Sequence, residues 1–263
     1  MAFDPLKYPI AFPFPALSPG DLTETFTTAN VVKKYTPGQY AYTFDPLWGL
    51  RIFKLVKNLN NATIVQGGLY AYVDAASVGT ITAGSTTSIT TSGMTANDFE
   101  YQMITVSDDA GAAGAAPEGE SSLCIANSTT IITLHPDYAF TAAVAASDTA
   151  SVVYINGTNA AAANDERGPG DFTAQVAGVA MAAAADNEWY WILQRGWITA
   201  KNTDALTAGQ QLIAGTVLVQ DQAEGAQELE IGQIAVSQFA GAEASFATVF
   251  VNTYDTIICS STP

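Results

Sequence analysis

The chain has 263 residues, 48% of them hydrophobic and 10% aromatic, with 25 Asp and Glu against 9 Lys and Arg and a formal charge of −16. That apolar content supplies a full core for one large β domain or two smaller ones, which excludes global disorder. The scarcity of cations excludes direct binding to DNA or RNA and attraction to an anionic membrane, both of which need Lys and Arg to neutralise phosphate.

Only 13% of residues are charged, and Ala, Thr, Ser, Gly and Asn take their place. Small residues of this kind suit packed sheets and tight turns better than long solvated helices. The N-terminal stretch "MAFDPLKYPIAFPFPALSPGD" has prolines at 5, 9, 13, 15 and 19. It lacks a basic region followed by an unbroken apolar run, so it does not read as a signal peptide. Proline fixes φ and removes a donor, which rules out a central strand. Residues 1–47 therefore read as an extended, proline-rich arm. Its aromatic hooks Phe3, Tyr8, Phe12 and Phe14 are expected to dock on the chain's own body or on a neighbour.

From Trp48 the pattern changes. "WGLRIFKLVKNLNNATIVQGGLYAYVDAA" mixes apolar and polar positions between Asn and Gly punctuation, the grammar of short strands and tight turns. Thr-rich "VGTITAGSTTSITTSGMT", then "YQMITVSD", "SSLCIAN", "IITL" and "TASVVYING" continue it. Residues 48–157 form one β-rich region and 158–263 a second, packed with the first as one domain or standing beside it. "AQVAGVAMAAAADNE" is compatible with a helix on alanine propensity or with a buried strand of small residues; its β neighbours favour the strand. The expected fold is all-β, a sandwich or barrel-like body of short antiparallel strands with the N-terminal arm attached. "VAGVAMAAAA", the longest weakly polar run, falls well below the ~20 residues of a membrane-spanning helix.

The segment "NEWYWILQRGWITAKNTDALTAGQQLIAGTVLVQ" places Trp189, Tyr190, Trp191 and Trp197 within nine residues. Strand alternation puts Trp189, Trp191, Leu193, Arg195 and Trp197 on one face and Tyr190 and Ile192 on the other. Both faces are apolar through Leu193, which predicts burial on two sides. Trp189, Trp191 and Trp197 then belong to the core or to an interface, with a sugar-stacking platform as the third possibility.

No catalytic constellation emerges. His135 is the sole histidine, and no Gly-x-Ser-x-Gly elbow supplies a serine for it. One histidine and the distant Cys124 and Cys259 do not make a zinc site. The cysteines read as buried free thiols, with one long-range disulfide as the alternative. The acidic clusters Asp108-Asp109, Asp165-Glu166 and Glu224, Glu228 and Glu230 lack calcium-loop spacing. Phosphate-binding glycine motifs are missing. No catalytic, cofactor-binding or metal-binding residue is assigned.

In the order of these features the chain resembles the auxiliary structural proteins of tailed-phage virions, capsid decoration (cement) proteins in particular. The likeness rests on "GQYAYTFDPLWGLRIFKLVKN", "DDAGAAGAAPEGESSLCIANSTTIITL" and "WYWILQRGWITAKNTDALTAGQQL", in patches over about half the chain. It implies a non-enzymatic β protein, made in the host cytoplasm, that binds the major capsid protein lattice at the virion surface as a homo-oligomer, a trimer being favoured. A tail-tube or head-fibre component is the structural alternative. A carbohydrate-binding or adhesion module using exposed tryptophans, and a glycan hydrolase using two carboxylates, are the rivals from other classes.

Overall fold

The computed structural model describes residues 14–46, 48–73, 76–108, 114–159, 176–201, 211–214, 219–221, 235–237 and 246–253. Within them the chain is mostly β-strand, in two antiparallel-rich sheets, the all-β class that the alternation predicts.

Strands β1 (Tyr40–Asp45), β2 (Gly49–Asn58) and β3 (Leu69–Tyr72) begin the first sheet. A block of seven follows: β4 (Ala76–Ser77), β5 (Ile81–Gly84), β6 (Ser88–Thr91), β7 (Met103–Asp108), β8 (Ser121–Asn127), β9 (Ile131–Leu134) and β10 (Thr149–Val153). The chain then returns to the first sheet with β11 (Gly157–Asn159), β12 (Val176–Ala180) and β13 (Trp189–Lys201). Strands β14 (Gln211–Ala214), β15 (Val219–Asp221), β16 (Ala235–Ser237) and β17 (Phe246–Asn252) extend it.

Five strands of the first sheet close a ring. β2 pairs with β11, β11 with β3, β3 with β12, β12 with β13, and β13 with β2 again. The β2–β11 pairing is parallel and the other four are antiparallel. Ile52 to Asn58 in β2 and Trp189 to Gln194 in β13 are buried without a break. That is the two-sided burial expected of strands with apolar residues on both faces.

The second sheet is built wholly from residues 76–153, between β3 and β11 of the first. It too is close to closed, because one segment supplies both edges: β4 pairs with β10 and β5 with β6. Val78, between those two strands, donates its N–H to Ala150 and accepts from the Thr91 hydroxyl. Strict alternation in β8, β9 and β10 buries Ser122, Cys124, Ile132, Leu134, Ala150 and Val152 and leaves the intervening side chains wetter. Closing a sheet on itself removes the open edges at which β proteins aggregate.

Of the segment read as an arm, residues 14–45 lie against the body. "LSPGD" forms a capping box: the Ser18 side chain accepts from the Asp21 N–H at 3.4 Å, and the Asp21 carboxylate accepts from the Ser18 N–H at 3.0 Å. It opens helix α1 (Pro19–Leu22), and α2 (Thr28–Lys34) follows. Phe26 and Trp189 exchange backbone hydrogen bonds at 2.9 and 2.7 Å. Leu17, Leu22, Phe26 and Val31 thereby cover the outer face of the ring, over Phe53, Leu55, Trp189, Trp191 and Leu193.

Candidate functional site

The tryptophan strand is the place to start. Trp189 and Trp191 are fully buried. Tyr35 meets Trp191 edge-on at 5.2 Å, and Tyr101 from the inserted block meets Trp189 at 5.9 Å. Burial of two indoles contributes about 5 kcal/mol each as an upper figure, from ~200 Å² apiece. Neither ring offers a face to a ligand. Trp197 does not share their face, contrary to the simple alternation. A β-bulge between Leu193 and Arg195 shifts the register, so Ile198 and Ala200 join the cluster of Trp189, Trp191 and Leu193. Trp197 falls on the opposite side, half-buried, with its ring 5.2 Å from Phe250. Gly196 sits beside the bulge with φ +126°, where a Cβ would lie 2.7 Å from Cγ of Arg51.

On the outer face of the sheet lies a groove of about 340 Å³, lined by Trp48, Arg51, Met181, Ile198, Thr199 and Phe246 among others. Among the described residues, none of the N-terminal layer contributes to its wall. Phe246 is 54% exposed. Burial lowers the pKa of the Arg51 guanidinium, and nearby Asp45 partly opposes that. The Arg51 guanidinium lies 5.6 Å from the centre of the Phe53 ring, and its Nε donates to the Thr43 hydroxyl at 3.3 Å. An open floor of Met and Ile with aromatic walls and one cation suits an apolar or aromatic side chain from another protein segment.

Two lysines of β2 were not singled out by sequence. Lys54 points into the ring, 9% exposed. Its Nζ donates to the Ile155 carbonyl at 2.8 Å and the Tyr72 hydroxyl at 3.1 Å, and lies 4.6 Å from the centre of the Tyr72 ring. Gln194 Nε2 donates to the same hydroxyl at 2.8 Å. Burial pulls the Lys54 ammonium down to about 8 and pushes the Tyr72 hydroxyl up. Lys57, on the other face of β2, is fully buried where the ring meets the inserted block. It donates to the Asn97 carbonyl and sits 3.8 Å from Glu100, and burial lowers its pKa against the pull of Glu100 and Asp98. The stretch "IFKLVKN" did carry a signal: lysines on alternate faces of a strand that is apolar on both must be buried or at a junction. Enclosed as they are, both amines act as internal pins, and Lys54 ties the ring to the link returning from the inserted block.

The remaining candidates scatter. Phe14 is half-buried with its ring 5.4 Å from Tyr40; Phe3, Tyr8 and Phe12 lie outside the described residues. His135 accepts the Asp137 N–H at 3.2 Å, capping the short 3-10 turn Pro136–Tyr138. Cys124 is a buried free thiol, pushed up to about 12 by burial; Cys259, Asp109, Asp165, Glu166, Glu224, Glu228 and Glu230 lie outside the described residues. Among the described residues no group of three His, Cys, Asp or Glu is placed to hold a metal, and no helix is long and apolar enough to cross a membrane. No family model, curated protein or solved structure matches this chain.

Proposed function

We propose that this chain is a non-enzymatic structural protein of a tailed-phage virion, a decoration protein that binds the assembled major capsid protein lattice and stabilises the head. The observation that carries this reading is the exposed aromatic groove of Trp48, Met181, Ile198 and Phe246, a surface shaped for another protein. Two nearly edge-free β bodies support it, since a particle component is stored at high local concentration without strand-to-strand aggregation. The formal charge of −16 supports an outward-facing position, away from packaged DNA. The glycan-platform reading keeps only Trp48 and Trp197, because Trp189 and Trp191 expose no ring face.

The experiment is co-sedimentation of the purified chain with DNA-free phage heads, with light scattering of the chain alone. Saturable binding to heads and a higher temperature for head disruption are the expected results. A chain that leaves heads unbound at micromolar concentration overturns the reading. The tail-tube alternative predicts assembly into tubes without heads.

A further inference from the structure

We infer that the groove beside Phe246 receives the N-terminal aromatic segment, residues 1–13, of a second copy of this chain. Four observations converge on that occupant. First, the groove continues the same outer face that residues 17–31 already cover with Leu17, Leu22, Phe26 and Val31. The chain thus covers this face with aromatic and aliphatic residues from its own N-terminal part, and the groove is what remains.

Second, direction excludes the simplest intramolecular route. Ala16 bridges Tyr42 in parallel, with hydrogen bonds from Leu17 to Tyr42 and from Tyr42 to Pro15. The chain before Pro15 therefore leaves toward Tyr40, where the Phe14 ring lies. Trp48 and Arg51 stand at the other end of the β1–β2 hairpin, beyond Asp45 and Gly49. To reach its own groove the segment would have to reverse; extended onward, it spans up to ~45 Å away from the body, enough to enter a neighbour.

Third, composition fits. "MAFDPLKYPIAFP" carries Phe3, Tyr8 and Phe12 between prolines that hold an extended chain at low entropic cost. Aromatic side chains seated in a pocket of Met and Ile are the usual anchors of such contacts. Fourth, charge permits it. Copies of a chain at −16 repel, but this segment balances Asp4 with Lys7, and Asp4 complements Arg51 in the groove. The inference goes beyond head binding and is tested without heads.

The test uses the full chain with a photoreactive phenylalanine analogue in place of Phe12. Isotopically light and heavy copies are mixed, irradiated and mapped by mass spectrometry. Sedimentation velocity on wild type, Phe12→Ala and Phe246→Glu runs beside it over a wide concentration range, with thermal melts to confirm folding. Thr199→Glu, on the exposed rim of the groove, serves as a second groove variant. The expected result is light-to-heavy cross-links around Met181, Ile198 and Phe246. Association should weaken at least tenfold in Phe12→Ala and in both groove variants, and strengthen with added salt as repulsion is screened. Cross-links confined within single copies overturn the inference in favour of a folded-back segment. Cross-links elsewhere, or a wild type that stays monomeric throughout, also overturn it. Failure to bind heads with these results intact counts only against the decoration role.

Discussion

Lys54 provides the sharpest quantitative test of the ring. Its ammonium titrates near 8 in the folded chain against an ordinary 10.5, because burial penalises the charge and no carboxylate is among its hydrogen-bond acceptors, Tyr72 and Ile155. Below pH 8 both folded and unfolded chains hold the proton, and keeping that charge in the ring costs about 3 kcal/mol. Between about 8 and 10.5 the unfolded chain binds the proton that the folded chain releases, so stability rises with pH. From pH 7 to 9.5 the gain from this one group is about 2 kcal/mol. The groups facing Lys54 do not cancel it: Gln194 does not titrate, and burial holds the Tyr72 hydroxyl neutral above this window. Lys54→Met keeps an unbranched chain and removes the charge. Urea denaturation of wild type and variant at the two pH values gives the difference directly. Wild type should gain about 2 kcal/mol relative to Lys54→Met on going to pH 9.5. A flat difference, or one of opposite sign, refutes the placement of an uncompensated amine inside the ring.

The other predictions address packing. Trp191→Ala empties the contact between the N-terminal layer and the ring and should cost about 3–5 kcal/mol in denaturant titration; a loss below about 1 kcal/mol would contradict its full burial. Gly178 has φ +148°, and a Cβ there would stand 2.3 Å from the Leu193 carbonyl. Gly178→Ala should therefore cost about 2 kcal/mol or more, measured by thermal melts, and a neutral result would mean that β12 and β13 are spaced otherwise. In a Cys259→Ser background, Cys124 should resist a thiol reagent at pH 8 in the native chain and react promptly in denaturant; fast native labelling would place it outside the core.

Local features were legible in the sequence and long-range ones were not. The unbroken apolar character of "WYWIL" forecast two-sided burial, and the alternation in "SSLCIAN" and "IITL" forecast one-sided strands, because side-chain direction follows from a period of two. The bulge after Leu193 was not readable. It changes the period by one residue with no glycine at the break itself, so Trp197 was put on the wrong face. The insertion of residues 76–153 was equally hidden. β11 has only three residues and finds its partner across 101 positions, Thr158 donating to the Lys57 carbonyl. No composition boundary marks such a return. In the candidate site, the aromatic hooks and the tryptophans were visible as residue types. The groove was not, since Met181, Ile198 and Phe246 become neighbours only when three strands are in register.

The two ends of the inserted block are fastened to each other: the Val73 N–H donates to the Gly157 carbonyl at 3.0 Å, and β3 and β11 are paired beside it. A tension applied through the outer parts of the chain is carried across that clasp, so the block from 76 to 153 hangs outside the line of force. It stays folded until the clasp peels, and then it releases its hidden length in one step. A shell protein built this way has a stiff member and a shock absorber in a single chain.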